Sequence, residues 1–457
     1  MEILHYSLGF PPFRRGGMTQ YCLDLMKEQV RAGNTVTLLW PGRLHDLSEK
    51  TKIEKRVNYR FQNGLSCGSY ELVNPLPIPL MDGIQDPGMY LIHKEKKAYV
   101  KFFRVHTFRI MHIHTFMGLP TELLEAAQEA GVKIVFTTHD YFPVCPRCNL
   151  FHAGQDCLND HDCADCAACN QYGLSFNKMK FFQSELYRTV KENSVVKVLR
   201  ARHNRKMYNV AEQMEEEKIV DEPLRKNYQK LRRRNIELLE SMDAVHCNST
   251  NTLQVYKGRG YSGCNAQVIS ISNGAISDHK KVRKVGTPLR FGYLGPLTTH
   301  KGYNLFRNAC DALWQSGQHC FEAHIFVETA NLPSYMICHK PYSYNELSNV
   351  MDTFDVLVTP SECEETFGFT VLEALSYGIP VIVSKKVGAK DLIVEGRNGF
   401  VVDGTVQALE TCFKKLAENP AIVQNMNSYI VKNFDVKTMI AHTSEIETVY
   451  REICSKL

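Results

Sequence analysis

Short apolar runs recur along the chain, separated by amphipathic stretches of helical period. Residues 1–7 (MEILHYS) read as a strand, 10–33 as a Pro/Gly loop and an amphipathic helix, and 34–42 (NTVTLLWPG) as a second strand, which makes a βαβ unit. Further strand runs lie at 109–116 (RIMHIHTF), 132–141 (VKIVFTTHDY), 243–249 (DAVHCNS) and 266–274 (AQVISISNG), with a helix at 120–131. After a basic stretch at 278–288 the pattern restarts at 289–297 (LRFGYLGPL) and continues through 321–327 (FEAHIFV), 354–361 (FDVLVTPS) and 380–386 (PVIVSKK). Strands alternating with helices call for parallel, doubly wound sheets, so the predicted fold class is α/β with two Rossmann-like domains. The predicted domains are 1–280 and 286–433, followed by a last helix over 434–457; a cysteine-rich insertion at 143–170 and a helical, basic insertion at 175–240 interrupt the first.

Composition adds bounds. With 457 residues, 44% hydrophobic and 23% charged, the chain exceeds one comfortable core and is not expected to be disordered. A formal charge of +5 suits anionic substrates or an acidic membrane surface and does not by itself indicate nucleic acid. No apolar run approaches the roughly 20 residues a bilayer span needs, and the first residues open as a strand rather than a leader, so a cytoplasmic chain is expected.

The chemistry concentrates at 364–383 (EETFGFTVLEALSYGIPVIV). The preceding apolar strand delivers a loop with two acids to the sheet's carboxyl edge. There Gly368 permits close backbone approach, and the helix beginning at Phe369 would point unpaired first-turn N–H groups at phosphate oxygens. Glu365 and Glu373, eight positions apart, fall near the same helix end, where two carboxylates suit different hydroxyls. Two surface acids beside a buried helix are the alternative.

The combination Glu365-x7-Glu373, Gly378-Ile-Pro-Val-Ile and EGRNG at 395–399 resembles the family-4 retaining glycosyltransferases of the GT-B fold, the glycosyl transferases group 1. The resemblance implies that Glu365 contacts donor-sugar hydroxyls, that Glu373 holds the ribose, and that the amides of Phe367, Gly368, Phe369, Thr370 and Val371 take the diphosphate. It implies an acceptor-side loop at Gly16 and Gly17, which alone would read as a turn, and a donor-sugar contact for His139, otherwise a strand-end histidine bonding nearby backbone. Lys301, in FGYLGPLTTHKGYNLF, would neutralise the leaving diphosphate. Many relatives carry an arginine where Pro296 stands, which leaves Lys301 more charge to balance, with His300, Arg14 and Arg15 as possible helpers. The last helix would cross back onto the first domain. His112 and His114 share one strand face, with packing as ready an explanation as binding.

Six of 16 cysteines cluster as Cys145, Cys148, Cys157, Cys163, Cys166 and Cys169. Pairs at two-residue spacing suit a metal knuckle, and structural zinc, completed by His152 or His161, an iron–sulfur cluster and no metal stay open. Some relatives resemble this insertion, which reads as a lid beside the acceptor. Between 178 and 234, Phe181, Phe182, Leu186, Val190 and Val195 interleave with Lys and Arg, a pattern that fits either an anionic membrane surface or a solvated helix.

The resulting expectation is a retaining hexosyltransferase that uses a UDP-, GDP- or ADP-sugar and a carbohydrate or lipid-linked acceptor in polysaccharide or glycolipid assembly. It would need no catalytic cofactor, bind no nucleic acid, and touch the inner membrane face peripherally. A GT-B-type sugar-nucleotide epimerase and a non-catalytic sugar-nucleotide-binding subunit are the alternatives.

Overall fold

A computed structural model describes the chain except residues 12, 45–47, 49, 153, 158–161, 192, 194–195, 197, 199–220 and 456–457. Its first sheet has eight strands: β1 (Glu2–Tyr6), β2 (Thr35–Pro41), β3 (Lys52–Arg60), β4 (Ser66–Val73), β5 (Ile110–Ile113), β6 (Lys133–Thr137), β7 (Ala244–Cys247) and β8 (Ala266–Val268). Their order is β8-β7-β6-β5-β1-β2-β4-β3. All neighbours are parallel except the antiparallel edge pair β3–β4. The second sheet is wholly parallel, ordered β11-β10-β9-β12-β13-β14, from β9 (Leu289–Tyr293), β10 (Phe321–Ile325), β11 (Met336–Cys338), β12 (Val356–Thr359), β13 (Val381–Ser384) and β14 (Gly399–Val402). The central strands β1, β5, β6, β12 and β13 are apolar and buried almost throughout, as strands covered on both faces must be.

Three expectations change. The chain makes an edge pair over β3 and β4 that its pattern does not announce, because β3 (KIEKRVNYR) is charged and largely exposed, the composition of an edge that discourages further pairing. The run at 266–274 is a strand only over Ala266–Val268; beyond it Asn273 and Gly274 turn, and the Gly274 N–H donates to Asp24 at 2.7 Å. Of the basic insertion, the described helices are α2 (Phe176–Phe182), α3 (Glu185–Val190) and α4 (Glu222–Glu240), while Val195 and the stretch 199–220 lie outside the described residues.

Helix α1 (Gly17–Arg31) follows the Pro/Gly loop, α5 (Phe369–Ser376) follows β12, and α6 (Met439–Ser455) ends the chain. The last helix lies on α1: Tyr21 and His442 hydrogen-bond at 2.7 Å, and Asn34 donates to Glu447 at 2.7 Å. One apolar cluster joins Tyr21, Leu25 and Met26 to Ile446, Val449, Tyr450 and Ile453, all buried. Burying those four side chains of α6 contributes roughly 1.5–3 kcal/mol each before ordering entropy, so the final helix ties the two halves together. Among the described residues no helix is long and apolar enough to cross a membrane.

Candidate active site

Both sheets present their carboxyl edges to a common cleft, so the loops after β1, β6, β9 and β12 meet there. The cleft is closed at one side by polar bonds. Thr250 gives its N–H and hydroxyl to the Asp391 carboxylate, both at 2.6 Å. Asn251 donates to Glu364 at 2.7 Å, and Ser249 and Thr252 both donate to the Thr366 carbonyl at 2.9 Å. Thr366 in turn donates to the carbonyl of His139 at 3.2 Å. The end of β6 is thereby held against the loop that carries Glu365.

Glu365 and Lys301, 64 residues apart in sequence, form an ion pair at 3.1 Å, and Ser361 also donates to the Glu365 carboxylate. Lys301 reaches it because Gly302 turns the chain beneath β12. Gly302 has φ +78°, and a Cβ there would sit 1.9 Å from the Pro360 carbonyl oxygen. Gly302→Ala is therefore expected to lose at least about 2 kcal/mol of stability, from left-handed strain plus the clash. Calorimetry reads this as a fall in the thermal midpoint, and an unchanged midpoint would contradict the close approach.

Gly368, at φ +102°, opens α5; a Cβ there would meet Val387 at 3.0 Å and Glu365 at 3.3 Å. The N–H groups of Phe367, Gly368, Phe369 and Thr370 donate to no acceptor among the described residues, whereas Val371 N–H already bonds the Gly368 carbonyl at 3.1 Å. Four converging donors at a helix N-terminus make an anion cradle. Across the cleft, Gly16 (φ +132°) caps α1, and a Cβ on Gly17 would lie 3.9 Å from the Phe369 ring, so the start of α1 faces the start of α5. Glu373 is buried one turn further along, accepts from the Tyr344 hydroxyl at 2.7 Å, and has its carboxyl pushed upward by burial. Ser361 and Tyr344 thus hold the two glutamates; no spacing in sequence pairs Tyr344 with Glu373.

Behind His139 runs a chain of hydrogen bonds whose direction is set by one end. The Ile269 carbonyl can only accept, so His246 Nε2 donates to it at 2.6 Å, and His246 Nδ1 takes the Thr137 hydroxyl proton at 3.0 Å. Thr137 then accepts from His112 Nε2 at 2.7 Å, His112 Nδ1 from the Tyr450 hydroxyl at 2.5 Å, and Tyr450 from the Gln29 amide at 3.3 Å. The Gln29 carbonyl oxygen accepts from His5 Nε2 at 2.7 Å, His5 Nδ1 from His114 Nε2 at 2.9 Å, and His114 Nδ1 from His139 Nε2 at 3.1 Å. Burial holds every ring neutral: His5 and His246 fall to about 4 and His139 to about 3, with His112 and His114 well below the ordinary value. His139 Nδ1 is left with a lone pair and no partner among the described residues, an acceptor for a ligand O–H. His112 and His114 hold this chain from β5 and its end, a role the sequence does not reveal because their partners come from β1, the end of β6 and α6.

The ring nitrogens and thiol of Cys22, His114 and His139, and those of His5, His112 and His114, are the described ligand atoms that gather within 4.8 Å in threes. The imidazole contacts are already hydrogen bonds, which fills the coordination positions. Of the expected set Cys145, Cys148, Cys157, Cys163, Cys166 and Cys169, several thiols neighbour one another and meet other groups of the fold. Cys148 bonds the Leu80 carbonyl at 3.5 Å, Cys163 and Cys166 bond each other, and Arg232 lies 3.9 Å from Cys166. Arg147, bonded to the Cys169 carbonyl at 2.9 Å, also bonds that residue's thiol, which burial pushes up to about 12. His152 lies on a short ribbon, Phe151–His152 with Gln155–Asp156, and His161 lies outside the described residues. The insertion also bridges the domains, with Lys386 paired to Asp156 at 2.5 Å.

Two family models match the chain: Glycosyltransferase Family 4 over residues 15–159 and Glycosyl transferases group 1 over residues 275–433. The amylovoran biosynthesis glycosyltransferase AmsK of Erwinia amylovora is 26% identical over 42% of this chain and 49% of its own. A D-inositol 3-phosphate glycosyltransferase of an Arthrobacter species is 34% identical over 20% of this chain and 21% of its own. The matches thus span about a fifth to a half of these curated relatives. Among solved structures, sucrose-phosphate synthase from Thermosynechococcus elongatus superposes with a TM-score of 0.56 over 99% of this chain and 98% of that one, at 14% identity. HepE of Anabaena, solved with UDP, gives 0.53 over 98% and 100%, at 15% identity. With two facing Rossmann-like domains and both family models matched across them, the chain belongs to the family-4 glycosyltransferases of the GT-B fold.

Proposed function

We propose that the protein is a retaining hexosyltransferase that moves a sugar from a nucleotide diphosphate donor to an acceptor hydroxyl in polysaccharide or glycolipid assembly. The observation that carries the reading is the Lys301–Glu365 pair beside the four free amides of 367–370. Positive potential lies where a diphosphate would leave, and a carboxylate where sugar hydroxyls would bind. The relatives add context: AmsK is named for amylovoran biosynthesis, and HepE is known with UDP and with UDP-glucose.

In this reading the bond between the anomeric carbon and the donor phosphate oxygen breaks through an oxocarbenium-like transition state. The acceptor oxygen forms the new bond on the same face, and its proton passes to the departing phosphate. Lys301 and the amides stabilise the charge on that phosphate, Glu365 holds sugar hydroxyls, and Glu373 with Tyr344 takes the ribose. His139 Nδ1 accepts from a hydroxyl of the hexose, and Gly16 and Gly17 admit the acceptor. No step requires a metal, because Lys301 and the helix terminus supply the positive potential.

A panel of UDP-, GDP- and ADP-sugars, read by thermal shift and by acceptor-dependent diphosphate release, tests this. One donor should stabilise the protein and release its diphosphate when acceptor is added. Donor conversion without acceptor would favour an epimerase, and binding without turnover a non-catalytic subunit.

A further inference from the structure

The first domain holds a cavity of about 460 Å³ on the same sheet edge as the cleft. Its walls are the loop after β1 (Leu8 to Arg14), the end of β2 at Trp40, the 78–82 loop, Arg147 of the cysteine-rich insertion, and Phe182, Tyr187 and Arg188 of α2 and α3. Nothing in the transfer chemistry proposed above uses it.

Its charge is unbalanced. Arg14, Arg147, Arg188 and Lys191 line it against one carboxylate, Asp82. Arg14 is the most exceptional of these. Its guanidinium has no hydrogen-bond or ion-pair partner among the described residues, and burial, with repulsion from Arg188 added, pulls its pKa down to about 10. The Arg147 Nε is likewise buried without a hydrogen-bond partner. Arg188 lies over the Trp40 ring at 5.0 Å while it shares the buried Glu71 with Arg43 and Arg56, so that carboxylate is already more than neutralised. A guanidinium without a counter-charge, as at Arg14, is costly in a largely desolvated wall unless an anion completes it.

The cavity is also apolar, and its mouth is more so. Phe13, Met81 and Phe182 line it and are 39%, 47% and 36% exposed, and Leu186 on the neighbouring α3 is 67% exposed. A bare anion would leave these side chains in water, and a neutral apolar ligand would leave Arg14 unpaired.

We infer that this cavity binds an amphiphilic phosphate ester: a phosphate or diphosphate held by Arg14 and Arg188, with an apolar chain leaving over Phe13, Met81 and Phe182. On the transferase reading, to which this assignment adds the acceptor's chemistry, the ligand is the carrier group of the acceptor. The loop that supplies Arg14 also supplies Gly16 and Gly17, so it spans from the cavity to the cleft.

The test is calorimetric titration with farnesyl diphosphate, inorganic diphosphate and farnesol, against the wild type, Arg14→Gln and Lys301→Ala. Farnesyl diphosphate should bind at least about 10-fold more tightly than either fragment, and Arg14→Gln should weaken it by about 10- to 100-fold. Lys301→Ala and saturating UDP should leave it unchanged, since they address the donor site. Equal affinity for inorganic and farnesyl diphosphate, displacement by UDP, or an indifferent Arg14→Gln would overturn the assignment. Phe182→Ser, on an exposed helix face, gives a second reading: it should weaken farnesyl diphosphate and spare inorganic diphosphate, and a uniform effect counts against the apolar arm. Vesicles doped with a long-chain prenyl diphosphate then distinguish a membrane-borne ligand from a soluble one. A protein that binds farnesyl diphosphate in this way yet releases diphosphate from no donor keeps the cavity and loses the transferase.

Discussion

Transfer by Glu365→Ala and by Lys301→Ala is expected to fall by a factor of about 100 or more, with donor binding less affected for Glu365→Ala than for Lys301→Ala. The difference follows from geometry. In the proposed reading Lys301 supplies the cation of the anion site, so its loss should weaken both the bound and the departing diphosphate. Glu365 is braced by Lys301 at 3.1 Å and by Ser361, so it is preorganised to meet the sugar as positive charge develops on the ring. Because the two are paired, the double variant should lose less than the product of the single effects. Single-turnover rates with the donor found in the panel measure all three proteins, and near-normal turnover by Glu365→Ala would remove it from the chemistry.

Acid should unfold this protein earlier than its carboxylates alone would dictate. In the unfolded chain each imidazole takes up a proton near pH 6.5. In the fold, burial holds His5 and His246 near 4 and His139 near 3, and drives His112, His114 and His442 well below their usual range, with Lys437 adding to the effect at His246 and His442. The native state therefore binds fewer protons than the unfolded one between pH 6.5 and about 4. The stability these rings contribute is whole above pH 6.5 and is lost as the pH falls through that window. Each imidazole accounts for up to about 1.4 kcal/mol per pH unit, and because the rings are coupled through shared hydrogen bonds the set loses less than the sum of its members. Urea midpoints at pH 7.5, 6.0, 5.0 and 4.5 should fall steeply below 6.5, and ¹⁵N spectra at pH 7.5 should show the five rings of the chain as Nε2–H tautomers. A flat midpoint, or Nδ1–H at these rings, would break the directed chain.

The apolar runs at 289–297, 354–361 and 380–386 were legible as strands because a parallel strand buried on both faces needs an unbroken apolar stretch, and nothing else in a soluble chain requires one so often. The anion cradle was legible for a related reason: Gly368, the apolar spacing of α5 and its flanking acids are all local, so a short string carries the whole device. The roles of Lys301 and Glu365 were implied only through a family pattern and their pairing only by the fold, where a Cβ on Gly302 would lie 1.9 Å from the Pro360 carbonyl oxygen.

Other features have no local signature. The edge strand β3 shows no apolar alternation because neither of its faces is deeply buried. The six cysteines look like a ligand set in sequence, and only the fold brings Arg147 to the Cys169 carbonyl and Arg232 to the Cys166 thiol. The tautomer of His139 depends on Ile269, Thr137, Tyr450 and Gln29, which lie on four elements and as far as 421 residues apart between Gln29 and Tyr450. The unpaired charge of Arg14 is a statement about which groups failed to come near it. Local chemistry is written in the order of residues, because propensity, periodicity and turn geometry act over a few positions. Direction in a hydrogen-bond network and imbalance in a buried field arise when distant segments are packed together, and they exist only in the folded chain.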